Sequence, residues 1–521
     1  MLFRLLVFVG LCVSLPARAL TSEQALAMAQ GETDTRIAAV AHAVARPDPR
    51  AATLIQALAD DAVKVAGGRV LMVRDGKAED AVSGAPVALP ADAEDVVNNN
   101  RMRGELDLAL AALGLASPDP KVRLASAQAL AKEPDEARLP IIERALATEQ
   151  DAAVKAALQM AQASASLGSA NEASRLDAAT QLANQRTPET RLLLAERLKE
   201  ESSPTVKARL TRSLAEIDAS LAWGQRLGQL FTGVSLASIL LLAALGLAIT
   251  YGLMGVINMA HGELVMIGAY ATYVVQGLFQ KFLPGLFDAY LLAALPVAFG
   301  ASALVGALLE RGVLRFLYGR PLETLLATWG ISLILMQAVR SLFGAQNVGV
   351  ENPSWMSGSL TLMPGLALPY NRLVIVAFAL LVLASVALVI GKTRLGLFVR
   401  GVTQNRRMAA CVGVNTARTD TYAFALGSGI AGLAGCALSQ IGNVGPDLGQ
   451  SVIIDSFLVV VVGGVGQLAG AVWAALGLGL TAKLLEGVMG AVLAKIVVLL
   501  FIIAFIQKRP QGLFALKGRE A

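Results

Sequence analysis

"GLMGVINMAHGELVMIGAY", residues 252–270, sets Asn258, His261 and Glu263 inside a run of otherwise apolar and small residues. What flanks the run decides how those three polar side chains are read. Upstream lies an apolar stretch over about 229–251, downstream another over 263–280. Each is close to the ~20 residues a helix needs to cross a bilayer. The amide, imidazole and carboxylate therefore sit at a break between two membrane spans, with glycines at 252, 255 and 262. That is the composition of a re-entrant or broken segment, whose freed backbone groups need side-chain partners.

The rest of the chain agrees with a membrane protein. Of 521 residues, 55% are hydrophobic and only 16% charged, with a mean hydropathy of +0.60, an excess that a single soluble core does not require. Residues 223–521 hold 19 Lys/Arg against 10 Asp/Glu, while residues 1–222 hold 25 against 29. The pI of about 9.1 thus reflects short basic loops in the apolar half and is no sign of nucleic-acid binding.

Nine apolar stretches carry the second half: about 229–251, 263–280, 288–310, 323–343, 372–391, 420–442, 452–466, 468–487 and 491–507. The seventh is short and reads as a half-span. Basic residues concentrate after spans 3 and 5 and at the C-terminus: Arg311, Arg315 and Arg320; then Lys392, Arg394, Arg400, Arg406, Arg407 and Arg418; then Lys508, Arg509, Lys517 and Arg519. The loop after span 4 carries only Glu351 and the one after span 6 only Asp447. By the positive-inside bias, the basic loops are cytoplasmic and the first span runs inward.

The N-terminus fits that polarity. "MLFRLLVFVGLCVSLPARAL" has one basic residue, a short apolar run and Ala17-Arg18-Ala19 as a small-x-small cleavage pattern, which predicts a signal peptide over 1–19. Residues 20–222 then form an exported, Ala-rich domain of helices separated by Pro-containing turns. Three segments within it are alike: "SPDPKVRLASAQALAK" from Ser117, "EQDAAVKAALQMAQA" from Glu149 and "SSPTVKARLTRSLAEID" from Ser202. Aligned on Val122, Val154 and Val206, they suggest a HEAT-like helical repeat, with an Ala-rich bundle as the plainer reading. "GGRVLMVRDGKAEDAV", residues 67–82, suggests one small hairpin. Cys411 and Cys436 fall in or near membrane segments, so neither a disulfide framework nor a zinc spacing is expected.

Three motifs imitate other chemistry. Gly464, Gly466 and Ala469 have the spacing of a dinucleotide fingerprint, but apolar stretches flank them on both sides, so they read as close packing or a helix break. Gly391-Lys392-Thr393 imitates the end of a phosphate loop, yet Val386 stands where its first glycine belongs. His261 and Glu263 lack a second histidine, because His42 lies in the other half of the chain. No cofactor, metal or ATP site is expected on this chain, and no nucleophile and base pair marks an intramembrane enzyme.

With the topology in hand, "GVINMAHGELVMIGAY" (255–270) resembles the N-x-x-H-G signature of permease subunits of branched-chain amino acid type ABC importers. "GLFVRGVTQNRRMAACVGVNTARTDTYAFALGSGIAGLAG" (396–435) is similar to that family's cytoplasmic loop and following span, and the resemblance covers 227–515. "LETLLATWGISLIL", "NPSWMSG" and "IGNVGPDLGQSVIIDSF", with the exported domain, resemble its urea-importing members. The resemblance implies an all-α inner-membrane permease of about nine spans. It also implies a second homologous permease subunit, two ATP-binding subunits and a periplasmic solute-binding protein as partners.

It further implies a segment near 398–415 that couples to the ATPases, with Arg400, Gln404, Asn405, Arg406, Arg407 and Gly413 as its candidates; plain positive-inside topology is the other reading of its arginines. Asn258, His261 and Glu263 either line or gate the solute route or satisfy a tight turn. Gln440, Asn443 and Asp455 either face the binding protein and route or are structural. Ser428, Gly429, Gly432 and Gly435 are read as helix packing. Urea needs acceptors for its N–H groups and a donor for its oxygen, whereas a branched-chain amino acid needs charge partners and an apolar pocket. Two rivals remain: an importer of branched-chain amino acids or other amides, and a passive urea channel.

Overall fold

A computed structural model describes residues 20–45, 48–74, 77–255 and 258–514. The expected signal peptide, 1–19, and the Asp75-Gly76 turn lie outside the described residues. The chain divides into two compact units, Met1–Leu221 and Ala222–Ala521.

The first unit opens with α1 (Ser22–Ala29), α2 (Thr33–Ala45) and α3 (Pro49–Ala59). Five strands follow: β1 (Val63–Ala66), β2 (Arg69–Arg74), β3 (Lys77–Asp80), β4 (Pro86–Val87) and β5 (Glu94–Asp95). They form an antiparallel sheet in the order β4-β3-β2-β1-β5. The single hairpin expected from sequence is thus the middle of a larger sheet, and the all-α expectation is corrected for this unit. Two of the strands are two residues long, too short for an alternation to show. Buried Val63, Val70 and Met72 turn one face onto the helical core around Leu54, Ile55 and Leu58.

Helices α4 (Asn100–Gly114), α5 (Pro120–Lys132), α6 (Leu139–Thr148), α7 (Ala152–Ser166), α8 (Glu172–Gln185) and α9 (Pro188–Glu200) complete the unit, with the start of α10 (Pro204–Met254). Side-chain caps start several of them: Asp119 accepts from the Lys121 N–H, Asp151 from Ala153 and Val154, and Asn171 from Ala173. Pro at the first helical position loses no hydrogen bond and fixes a helical φ.

The duplication in this unit has a period of 52 residues. Arg123 donates from Nε and Nη2 to Glu149 at 2.7 and 3.0 Å, and from Nη1 to the carbonyls of Ser117 and Pro118. Fifty-two residues on, Arg175 makes the same four bonds, to Glu201 at 3.0 and 3.1 Å and to the carbonyls of Ser169 and Ala170. The Glu149 carboxylate also takes the N–H groups of Gln150 and Asp151, as Glu201 takes those of Ser202 and Ser203. Buried Val154 and Val206 are equivalent, but Val122, on the exposed side of α5, is not in their register. The three-way alignment on valines is therefore corrected to a two-fold repeat of three helices, marked by an Arg–Glu clamp.

In the second unit the apolar helices are the rest of α10, α11 (His261–Phe282), α12 (Tyr290–Gly312), α13 (Pro321–Phe343) and α14 (Tyr370–Lys392). A β-hairpin, β6 (Ser359–Met363) with β7 (Leu366–Pro369), precedes α14. After it come two short helices, α15 (Arg394–Gln404) and α16 (Arg406–Cys411), then α17 (Thr416–Ser439), α18 (Leu448–Gly463), α19 (Leu468–Met489) and α20 (Ala491–Lys508). Seven of these helices, α10, α12, α13, α14, α17, α19 and α20, are long and apolar enough to cross a membrane. The expected count of nine is met only by adding two others. One is α11, whose 22 residues reach about 33 Å but include His261, Glu263 and Gln276. The other is the 16-residue α18, about 24 Å long and short of a ~30 Å hydrocarbon core.

Small residues hold α11, α12 and α17 together at the centre. A Cβ on Gly268 would collide with the backbone of Gly432, one on Gly435 with the Val265 carbonyl, and one on Gly432 with Ala298 and Ser302. The Ser302 hydroxyl donates to the Leu264 carbonyl at 2.8 Å. Such close approach lets backbones pack where no hydrophobic drive separates one apolar helix from lipid.

Candidate functional site

The break between α10 and α11 is built around its polar residues. Gly255 has φ +68°, a left-handed conformation that suits a residue without Cβ. The Asn258 amide oxygen accepts the Ala260 N–H at 3.1 Å, and the Met259 N–H is taken by the Thr328 hydroxyl at 3.2 Å. His261 lies fully buried, with Nε2 3.0 Å from the Ala243 carbonyl. A carbonyl only accepts, so Nε2 carries a proton in this bond.

Glu263, in the first turn of α11 and 1% exposed, accepts from the Ser332 hydroxyl at 2.8 Å through Oε1. Its carboxylate lies against the first turn of α18, where a Cβ on Gly449 would sit 2.5 Å from Oε2. Among the described residues, Asn258 Nδ2, His261 Nδ1, Glu263 Oε2 and Tyr270 Oη are buried without a hydrogen-bond partner. Buried polar atoms are nearly always partnered, and four such atoms, one just before α11 and three in its first ten residues, mark a polar seam inside an apolar bundle.

The other expected route residues are placed elsewhere. Gln440, 3% exposed, accepts from Tyr290 Oη at 3.2 Å through its amide oxygen, while Asn371 donates to its backbone carbonyl at 3.1 Å. Asn443 is exposed in the segment between α17 and α18, beside the Val348–Val444 bridge. Asp455 faces a cavity and pairs with Lys495 at 3.6 Å. The six residues therefore form three groups, and only the first is a compact cluster. Thr328, Ser332 and Tyr270 belong with that cluster and were not expected from sequence, because hydroxyls inside apolar spans carry no spacing signal. Lys495 did carry one, as a lone charge four residues into an apolar helix.

The expected coupling segment folds as α15 and α16, broken at Asn405. Asn405 caps α16 by accepting the Met408 N–H at 2.9 Å, and Gly413 has φ +88°. Arg400 donates to the Ile390 carbonyl. Arg406 binds buried Asp420 on α17 and stacks its guanidinium 4.8 Å from the Tyr318 ring. Around it, buried Glu310 accepts from Thr421 Oγ1 at 2.6 Å, Tyr318 Oη at 3.2 Å and Arg315 Nη2 at 3.3 Å. Burial and the carboxylates of Asp420 and Glu310 push the Tyr318 phenol well above its usual range. Arg406 thus reaches in to Asp420 while 43% of its own side chain stays exposed. Gln404 and Arg407 stay exposed, beside the apolar side chains of Met408 and Val412, 61% and 73% exposed.

A family model described as the permease component of branched-chain amino acid transport systems matches residues 229–506. A high-affinity branched-chain amino acid transport system permease protein, BraD of Pseudomonas aeruginosa, is 28% identical over 293 residues, covering 55% of this chain and 95% of its own. LivH of Escherichia coli K12, of the same description, is 27% identical over 55% of this chain and 94% of its own. A probable branched-chain amino acid transport permease of Methanocaldococcus jannaschii is 27% identical over 53% of this chain and 89% of its own. No solved structure matches.

Proposed function

The chain belongs to the branched-chain amino acid transport system permease family, and from that membership we propose that it is the membrane-spanning permease subunit of a binding-protein-dependent ABC importer. The match over 229–506 carries the reading, because it takes in the polar seam, the α15–α16 segment and every apolar helix at once. In this reading α11 and α18 join the seven longer helices to make nine membrane segments, α18 as a half-span. The 20–222 region is exported, and the loops bearing Arg311 to Arg320 and Arg394 to Arg418 are cytoplasmic. Asn258, His261 and Glu263 line or gate the route. Gln404, Arg407, Met408 and Val412 present the surface that meets an ATP-binding subunit, since exposed apolar side chains among charged ones suit docking. A second permease, two ATP-binding subunits and an exported binding protein complete the complex.

The solute of the first reading is a branched-chain amino acid, the solute named for the relatives. A second reading, urea, is supported by the motifs at 322–335, 352–358 and 441–457 and by the region before residue 229, which the family match does not include. The test is uptake into proteoliposomes holding the complete complex and its binding protein, with ATP on the ATPase side. Energised accumulation of leucine is the expected result, and accumulation of urea alone transfers the assignment to the second reading. Solute flux through this chain alone, without ATPases, overturns the importer reading in favour of a channel.

A further inference from the structure

Between α10, α18, α19 and α20 lies an open cleft of about 240 Å³ that is charged at one end and apolar at the other. The charged end is at the turn that joins α19 to α20. Glu486 lies in the last turn of α19, which ends at Met489, and Lys495 just past the first turn of α20, which starts at Ala491. Both are within about 6 Å of that end along their helix axes. Asp455 reaches them from α18 and pairs with Lys495 at 3.6 Å. Leu478 of α19 and Ile502 of α20 line the cleft about 10–12 Å deeper. Leu236 and Leu240 of α10 and Leu458 of α18 complete its apolar walls.

The charges at the mouth are incompletely used. The 3.6 Å between Lys495 and Asp455 exceeds a good N–H···O distance, and their side chains stay 57% and 35% exposed. Glu486 stays 39% exposed although Lys483 holds one of its oxygens at 2.6 Å. The four charges sum to zero, which suits a ligand that carries both signs and no net charge. The cleft also opens on lipid. Only 11% of the apolar window of α20 is buried inside the chain, and exposed Leu493, Ile496 and Leu500 continue its apolar surface outward. On the inner side α10 and α19 meet through their backbones, where a Cβ on Gly479 would sit 2.7 Å from the Ala237 nitrogen. Charge at the end of a helix pair, with apolar walls below and an open side, is the polarity of a phospholipid lying along the bilayer normal.

We propose that this cleft binds one ethanolamine phospholipid, with its ammonium on Asp455 and Glu486, its phosphate on Lys495 and an acyl chain along the leucine walls. A primary ammonium donates three hydrogen bonds to carboxylates, whereas a quaternary choline group donates none. A glycerol phospholipid brings no cation to the two carboxylates. The lysine ammonium meets phosphate as a point charge, and its long stem lets it follow the headgroup to the interface. In the orientation proposed above, α20 starts on the exported side, so the lipid comes from the outer leaflet of the membrane. Asp455 then serves lipid, and the solute route stays at the α10–α11 break.

The full-length chain, purified with its partner subunits, is exchanged into mixed micelles with equal amounts of phosphatidylethanolamine, phosphatidylcholine and phosphatidylglycerol of the same acyl chains. Native mass spectrometry then reads the lipid retained. One phosphatidylethanolamine on each copy of this chain, retained about tenfold over either of the others, is the expected result. Asp455→Asn removes the preference and Asp455→Glu keeps it. Ala482→Phe, which fills the cleft from its wall and leaves the charges in place, removes the retained lipid. Equal retention of all three lipids by the wild-type chain overturns the site, and that comparison needs no variant to fold. Loss of the second permease from Ala482→Phe, with lipid retention unchanged, assigns the cleft to a protein interface and overturns it as well. None of these readouts is transport, so failed uptake of leucine and urea overturns the importer reading and leaves the lipid site standing.

Discussion

Glu263 of α11 and Gly449 of α18 are packed so closely that a methyl group at 449 would lie 2.5 Å from the carboxylate. A Cβ on Gly262 would likewise meet the Gly449 carbonyl. Gly449→Ala therefore overpacks the joint between the two helices and lowers the stability of the purified complex by about 1–3 kcal/mol, read as a fall in its thermal midpoint. Glu263→Ala on the same background restores part of that loss, because residues in contact are not additive. Simple addition of the two effects would sink the claim that this contact is the cause.

Glu263→Gln keeps the size of the side chain and an oxygen for the Ser332 hydroxyl, so the complex assembles at the wild-type yield. If the carboxylate lines or gates the route, solute uptake still falls, by about tenfold. Unchanged uptake together with unchanged assembly removes both roles from Glu263.

The Arg–Glu clamps make the first unit sensitive to acid. Burial of Glu201 acts to raise its carboxyl, but the Ser203 N–H and the Arg175 guanidinium overcome this and hold it at about 2. At Glu149 the Arg123 guanidinium leads, with the Asp151 N–H, to the same value of about 2. A carboxyl held below the 4.5 of the unfolded chain contributes stability that is complete above pH 4.5 and is lost as the pH falls toward 2. Amide hydrogen exchange of the full-length chain over that window should show α5–α10 losing protection together. Glu201→Gln flattens the dependence while lowering protection at neutral pH. A profile unchanged by that substitution would assign the acid sensitivity to other groups.

Much of the second unit is legible in the sequence because lipid imposes a simple rule of length and polarity, and each expected span has a helix within a few residues of it. Two limits of that rule are physical. The 16 residues of α18 are apolar but start only at Leu448, where the chain comes in beside Glu263. Hydropathy cannot tell a short span from a half-span. The polar residues of the seam were visible one by one, but their partners were not: Ser332 reaches Glu263 across 69 residues, a tertiary distance that carries no local pattern. In the first unit valines recur at similar places in three segments, but the 52-residue period is carried by the Arg–Glu clamps, whose partners lie 26 residues apart and form no local pattern.

Gly435 stands where α11 and α17 cross, with the Val265 carbonyl and the Ala269 nitrogen in the place a side chain would take. Backbone cannot move aside as a flexible side chain does, so Gly435→Ala separates the helices and lowers recovery of the folded complex. Gly277→Ala is the control, since nothing lies within 4 Å of a Cβ there. Size-exclusion chromatography of both variants should show loss of the complex only for Gly435→Ala; equal behaviour would rule out close packing at this crossing.

Arg406 connects the α15–α16 segment to the bundle through Asp420, whose side chain is 1% exposed against 43% for Arg406. Removing the arginine leaves a buried carboxylate without its partner, whereas Asp420→Asn removes the charge that needs one. If the pair only stabilises the fold, the double variant Arg406→Gln with Asp420→Asn recovers both assembly and transport. If it transmits ATPase movement to α17, the double variant assembles and hydrolyses ATP but moves several-fold less solute for each ATP consumed. The second outcome is expected, because Arg406 joins the α15–α16 segment to α17, which packs against both α11 and α12. Met408→Glu on the exposed side of α16 provides the contrast. It leaves the thermal midpoint of the permease unchanged and reduces co-purification of the ATP-binding subunits, and full co-purification would exclude that face as their docking surface.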